Sequence, residues 1–429
     1  MNLKYFGQDY SLKHSENYQD LKYLLHRHLI DRIDEDKIPL ADWTHEQILR
    51  YVRDQVTRYA ANQQLAVTSY DLDDLTEEMV HEITGYGPLQ GLLKDEHIND
   101  IMVNGARHIF VERNGQVSET DLRFIDDDHV LRVIRRIIAP LGRRLDESTP
   151  MVDARLPDGS RINAIIPPLA IDGPCLSVRK FRKDPLREAD LMVYGSLNQV
   201  MLDFLRQAVK LRCNILISGG TGTGKTTLLN ILSRFIDHRE RLVTIEDAAE
   251  LQLGHNHVVR LETRPPNVEG EGEVRARDLV RNALRMRPDR IILGEIRGEE
   301  VMDVMQAMNT GHDGSMSTVH ANSSRDALVR LEMLAGLSKF QGGIETLRQM
   351  IAAAIDIIVQ IARMSDGTRR IVSIVEILGL RDQQFMVNEL FSFDRSRACF
   401  ISNHTVPTGR KFEKESRHDS FVESLKPHA

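Results

Sequence analysis

Gly219-Gly220-Thr221-Gly222-Thr223-Gly224-Lys225-Thr226 decides how this 429-residue chain is read. The octet has the spacing G-x-x-x-x-G-K-[ST]. It follows a short apolar run at residues 214–218 and opens a helical pattern at 225–236. A strand-to-helix turn is the setting in which that spacing has a chemical meaning. The glycines let the backbone fold around phosphates and aim N–H groups at them, and the helix start adds its positive dipole end. Lys225 is expected to reach the β- and γ-phosphates of ATP, and the Thr226 hydroxyl to hold Mg²⁺. Thr227 completes the expected nucleotide-binding set. The bland alternative, a flexible turn, needs the Lys-Thr pair by accident.

Around the octet the rhythm is strand, helix, strand. Residues 242–245, 290–293 and 316–319 read as buried strands, and 299–308 as a helix between the last two. Such alternation implies an α/β fold with a mostly parallel sheet and helices on both faces. A hairpin is expected at Asp366-Gly367. Two of the strands end in acids: Thr244-Ile245-Glu246-Asp247 and Ile291-Ile292-Leu293-Gly294-Glu295. Hydrolysis needs an oriented water, an acceptor beside it and outer support for the cation. Glu246 and Glu295 divide those catalytic and metal-supporting tasks in an order the sequence leaves open. Gly294 stands where an Asp usually precedes such an acid. His320, in the polar run from Thr310 to Asn322, is expected just past a strand end as a catalytic sensor. His312 is a second candidate in that run.

Upstream, Leu21, Leu25, Leu29 and Ile33 recur every four residues, so residues 17–84 read as helices. Pro39 ends the first of them. Thr44 and Gln47 stand as a capping box for the second, and Leu72, Leu75, Met79 and Ile83 mark a third. A small bundle is the plain reading, a partner-docking surface the sharper one. From Gly85 to about residue 181 the pattern becomes short apolar runs broken by Asn104-Gly105, Asn114-Gly115 and Asp158-Gly159, which suit hairpin turns. One helix interrupts them, with Val130, Val133, Ile134, Ile137 and Ile138 on one side. This predicts an α+β domain at 85–181, an N-terminal helical segment at 1–84 and a linker at 182–195 containing Pro185.

The formal net charge of −7 gives the chain no overall footprint for nucleic acid, so none is expected as a partner. Three scattered cysteines, Cys175, Cys213 and Cys399, show no metal spacing and fit a reducing cytoplasm. The start of the chain lacks a signal-like apolar core, and the most apolar run, 350–361, is broken by Asp356 and Gln360. Any membrane work is therefore expected from the cytoplasmic side.

Taken together and in order, these blocks resemble the secretion-ATPase superfamily of type II and type IV secretion and type IV pili. The resemblance is nearest to the CpaF/TadA branch of tight-adherence pili. It is carried by the run from Asp146 through Pro150, Asp153, Arg155 and Asp158 to Arg161, by the octet, and by Asp278 through Pro288 to Arg290 leading into Glu295. Gly311-His312-Asp313-Gly314 and His320-Ala321-Asn322 complete it. The likeness spans residues 20–395. It implies a RecA-like P-loop ATPase domain at 196–403, preceded by the α+β domain, with a polar, loose tail at 404–429. It also implies a homohexameric motor, peripheral to the inner membrane and working on platform proteins of a pilus or secretion system. In that resemblance Thr244 to Asp247 is an Asp box, Glu295 a Walker B acid and Gly311 to His320 a His box. Arg155, Arg161 and Arg179 match family arginines expected at the phosphates, and Arg264 is a weaker candidate for reaching a neighbouring subunit. The rival readings are a DNA-translocating RecA-like hexamer, a docking platform that binds ATP without turnover, and a small-molecule kinase. No acceptor domain is visible for the last.

Overall fold

A computed structural model describes residues 18–38, 43–65, 67–113, 115–181, 186–266, 271–338, 340, 342–403 and 407–413. Pro39, Asn114, Pro185 and the outer part of the expected tail lie outside the described residues. The chain divides into two compact units, Met1–Arg182 and Lys183–Ala429.

The first unit opens with helices α1 (Tyr18–Glu35), α2 (His45–Asn62) and α3 (Ser69–Thr84). Their four-residue stripes meet: Leu25, Leu29, Val52, Val56, Leu75 and Met79 share one buried cluster. Each such side chain contributes about 1.5–3 kcal/mol by leaving water, which is why three amphipathic helices stay together. Thr44 and Gln47 form the expected capping box at α2. Thr68 and Asp71 form a second, so α3 begins at Ser69, ahead of the apolar stripe that announced it.

Helix α4 (Leu89–Lys94) leads into strands β1 (Ile98–Asn104), β2 (His108–Arg113) and β3 (Gln116–Glu119), then helix α5 (Asp127–Ile138). Strands β4 (Met151–Arg155), β5 (Arg161–Ile165) and β6 (Cys175–Arg179) complete a six-stranded sheet of order β3-β2-β1-β6-β5-β4. Every neighbouring pair is antiparallel. Gly105 and Gly159 turn the chain with φ of +64° and +93°, the left-handed region that glycine enters without cost. The apolar face of α5, with Val130, Val133, Ile134, Ile137 and Ile138, packs on the sheet as its spacing required.

A buried charged group joins α1, α3 and α5. Glu82 lies 3.5 Å from Lys22 and 3.1 Å from His129, whose ring stacks 5.3 Å from His26. Burial works to raise the Glu82 carboxyl, yet His129 and Lys22 hold it below the usual range. Burial, helped by His129, pushes His26 down to about 4.

The second unit carries α6 (Glu188–Val193), α7 (Gln199–Lys210), β7 (Ile215–Gly219), α8 (Lys225–Ser233), β8 (Leu242–Glu246) and β9 (Val258–Glu262). There follow α9 (Ala276–Ala283), β10 (Arg290–Ile296), α10 (Glu300–Asn309), β11 (Met316–His320), α11 (Ser324–Leu337) and α12 (Ile344–Ala354). Strands β12 (Ile357–Arg363), β13 (Arg369–Arg381), β14 (Gln384–Asp394) and β15 (Cys399–Ser402) and helix α13 (Arg410–Glu413) close it. One nine-stranded sheet runs β15-β14-β13-β12-β7-β11-β10-β8-β9. From β12 to β9 every pair is parallel, and β13 to β15 are added antiparallel.

Strand β7 shows why its sequence is continuously apolar. Ile215 and Ile217 enter the core under α7 and α8, while Leu216 enters the opposite core with α10, α11 and α12. Three expectations need correction here. The helix after the octet stops at Ser233, not residue 236. The apolar run 350–361 is the end of α12 and the start of β12, split where Asp356 accepts from the Asn214 N–H. The tail is not loose throughout: Phe412 is buried in the first of those cores, and Lys411 bonds Asp356 and Asp313 at 2.9 and 2.8 Å. Among the described residues no helix is long and apolar enough to cross a membrane.

Candidate nucleotide site

The loop between β7 and α8 is pinned at both ends. Gly219 pairs with His320 of β11 and Ile361 of β12. A Cβ there would stand 2.6 Å from the Ile361 carbonyl and from Thr223 Oγ1, so only glycine lets the chain leave the sheet at this point. Gly222 and Gly224 take φ of +68° and +98°, and the Thr223 hydroxyl donates to the Gly220 carbonyl at 2.9 Å. Gly224 opens α8 with no side chain to cap its first N–H groups. Those donors, with the helix dipole behind them, form a built anion cradle. Thr226 and Thr227 stand half-buried in that first turn.

Lys225 curls back over the loop, donating to the Gly219 and Gly220 carbonyls at 3.0 and 2.9 Å. Burial lowers its ammonium below the usual lysine value; Glu295 opposes that shift and Arg297 adds to it. Thr221 Oγ1 lies 3.4 Å from His320 Nε2. His320 is the last residue of β11, not a residue past its end, and so is fixed by the strand that pairs with Gly219. Glu295 sits inside β10, half-buried, and its Oε2 accepts from Arg297 at 2.9 Å.

Glu246 is buried at the end of β8. One carboxylate oxygen accepts the N–H groups of Glu250 and Leu251 at 2.7 and 2.8 Å. The other finds no hydrogen-bond partner among the described residues. Burial raises its pKa, against the pull of those two backbone donors. Its Cγ lies where a Cβ on Gly294 would come within 3.2 Å, which explains the missing Asp: the Glu246 side chain already fills that space. Thr318 of β11 fixes the same turn of β10, donating to the Gly294 carbonyl at 2.7 Å.

The site residues therefore fall into two groups. Lys225, Thr226, Glu246, Glu295 and His320 converge at the carboxyl ends of β7, β8, β10 and β11. Arg155, Arg161 and Arg179 belong to the first unit, where they are direct cross-strand neighbours in one row over β4, β5 and β6. Asp100 continues the row and takes Arg179 at 3.0 Å. Arg264 bonds the Gly272 carbonyl at 2.6 Å across a short bridge to Val274. The ring of His312 lies 3.3 Å from the Ala307 carbonyl, at the end of α10.

Two arginines escaped the sequence reading. Arg369 of β13 donates to the Gly222 carbonyl in the loop at 2.9 Å. Arg297 bridges Glu295 and Asp247. Arg297 had a signal, because it stands two residues after Glu295, itself a candidate, where β10 ends. Arg369 had none beyond its place after the expected hairpin.

The residues present suit ATP with Mg²⁺. The cradle offers backbone donors and an ammonium to phosphates, and the orphaned Glu246 oxygen asks for a water or cation partner. Among the described residues no cluster of three or more His, Cys, Asp or Glu forms a metal cage. Mg²⁺ does not need one, since it keeps several waters and takes few protein ligands.

A P-loop at the carboxyl end of a central parallel strand, with an acid-bearing strand two places away, defines a RecA-like P-loop ATPase fold. The chain belongs to the family described as Type II/IV secretion system protein, whose family model matches residues 82–415. A Mycobacterium tuberculosis protein provisionally named for conjugal transfer is 40% identical over 301 residues, 68% of this chain and 84% of its own length. The type IV secretion system protein PtlH of Bordetella pertussis is 35% identical over 65% of this chain and 89% of its own length. The X-ray structure of the Yersinia pseudotuberculosis ATPase DotB superimposes with a TM-score of 0.50 at 17% identity, covering 66% of this chain and 76% of that one, a likeness of fold.

Proposed function

We propose that this chain is a Mg²⁺-dependent ATP hydrolase working as a homohexameric motor on the cytoplasmic face of the inner membrane. In this reading it powers assembly of a tight-adherence pilus or protein export through inner-membrane platform proteins. The observation that carries the reading is convergence: Lys225 from α8, Glu295 from β10 and His320 from β11 meet at one end of a parallel sheet. Lys225 and the N–H groups of α8 hold the terminal phosphates. Thr226, with Glu246 and Glu295 behind it, serves the cation, which when bound neutralises charge developing on the transferred phosphoryl group. One of the two glutamates orients the attacking water. His320, in contact with Thr221, registers the state of the loop. The row Arg155, Arg161 and Arg179 supplies further positive charge toward phosphates. Family membership and the PtlH relative support the secretion motor, and the motif from Asp146 to Arg161 supports the tight-adherence branch.

The test is Mg²⁺-dependent ATP turnover by the purified chain, read with its assembly mass. Glu246→Gln and Glu295→Gln are each expected to keep nucleotide binding and lose turnover. A correctly assembled parent that binds ATP and never hydrolyses it would leave the docking-platform reading instead. The conjugal-transfer name of the mycobacterial relative favours a second reading, a motor acting on DNA. Stimulation of turnover by DNA with a steep salt dependence would select it.

A further inference from the structure

Arg297 joins an acid two residues before it to one 50 residues before it: its Nη1 donates to Asp247 Oδ2 at 2.8 Å. Its Nη2 donates to Glu295 Oε2 at 2.9 Å. Strands β8 and β10 are direct parallel neighbours, so their ends present both carboxylates to one guanidinium. The arginine is itself held. Its backbone N–H and that of Gly298 both donate to Glu300 Oε1, at 2.6 and 2.7 Å, and Glu300 is buried. A Cβ on Gly298 would stand 3.2 Å from the other Glu300 oxygen, so the turn is closed tightly around that carboxylate. Asp247 is braced from its far side by the Thr263 hydroxyl, 3.4 Å from Oδ1. Strand β10 lies two places from β7, whose end carries the P-loop, and the charges of Glu295 and Arg297 act in opposite directions on the Lys225 ammonium.

We propose that Arg297 is a positioning residue for ATP hydrolysis: it fixes the Glu295 carboxylate at the mouth of the P-loop and ties it to Asp247. The inference rests on the ATPase reading above. A glutamate at a strand end has three rotatable bonds and spreads over several rotamers when nothing holds it. One guanidinium nitrogen bonded to Oε2 selects one of them, and the other nitrogen of the same rigid plane, bonded to Asp247, anchors that choice to the neighbouring strand. Nucleotide binding draws on a different set, the loop N–H groups and Lys225. Arg297 therefore acts on turnover and leaves affinity nearly alone.

The experiment is steady-state ATP hydrolysis and fluorescent-ATP binding on the full chain, with parent, Arg297→Ala, Arg297→Lys, Glu295→Gln and the Glu295→Gln/Arg297→Ala double variant. Arg297→Ala is expected to lower kcat about 10- to 100-fold while KM and the binding constant stay within about threefold. Arg297→Lys, able to hold one carboxylate and not both, recovers part of the loss. The double variant is expected within about twofold of Glu295→Gln alone, because the arginine acts through that carboxylate. A parental kcat in Arg297→Ala overturns the role, and so does a raised KM at unchanged kcat or an additive loss in the double variant. Should the alanine protein fail to fold, Arg297→Lys decides by itself, and a parental kcat there also overturns the role. A folded parent without turnover removes the ATPase reading first, and this role with it.

Discussion

Glu246 lies over Gly294, with its Cγ 3.2 Å from the point a Cβ at 294 would occupy. The two positions belong to neighbouring strands, and one side chain takes the room of two. The usual strand-end Asp is thus excluded by packing, and an acid from the next strand stands in its place.

Gly294→Asp therefore adds volume and a second carboxylate against a buried one. We expect destabilisation of about 1–3 kcal/mol from overpacking and an unpaired charge, with ATP turnover down at least about tenfold. Urea unfolding and a turnover assay check both halves. A variant as stable and active as the parent would show that the space beside Glu246 is free.

The His26 site predicts a pH dependence. Its folded pKa of about 4 lies below the ordinary 6.5, so between those values the unfolded chain binds the extra proton. The neutral ring's contribution to stability is therefore complete above pH 6.5 and is lost progressively as pH falls toward 4. The charged groups that act on it, Glu82, Asp126, His129 and Arg132, are the same in parent and variant. His26→Leu is expected to flatten the fall in melting temperature between pH 6.5 and 4.5. Parallel curves for parent and variant would remove His26 as the cause.

How much of this was legible in the sequence follows from how far apart the partners lie. The octet reads at once because its eight residues are contiguous, and the α/β class because fully buried strands such as β7 are apolar without a break. Strand β9 was passed over because Arg260 and Glu262 dilute its apolar signal and its burial is only partial. The added strands β13 to β15 mix charged and apolar positions, so they read only as one hairpin. Arg297 and Asp247 meet because β8 and β10 are adjacent, and no local pattern states that adjacency. The orphaned oxygen of Glu246 depends on a turn four and five residues further on. Only folding reveals it.

The folded part of the tail gives a stability test. Phe412 is 3% exposed and stacks 5.8 Å from Phe204 of α7. It lies in a run expected to be polar and loose, yet it packs in the core that holds Ile215 and Ile217 of β7. Phe412→Ala is expected to cost about 3 kcal/mol, the lower end for a buried aromatic. Guanidinium unfolding of the full chain measures it. A cost under about 0.5 kcal/mol would mean that the segment does not contribute to the fold.

Lys225 offers the sharpest separation of binding from turnover. Its ammonium bonds two loop carbonyls, Gly219 and Gly220, so the loop itself holds the charge. Those bonds are short-range and half-exposed to solvent, and water replaces them when the side chain is cut back. Lys225→Ala should therefore melt within a few degrees of the parent. Turnover behaves differently, because a positioned cation is worth most where negative charge develops during phosphoryl transfer. Removal of one such contact lowers kcat by about 10²–10³-fold. Lys225→Arg keeps the charge but not the compact point geometry that fits between two carbonyls, and is expected to recover little. The measurements are single-turnover hydrolysis at saturating Mg-ATP and melting temperature on the same preparations. A folded Lys225→Ala protein hydrolysing at the parental rate would falsify the assignment of this loop as the site of chemistry, whatever the rest of the fold resembles.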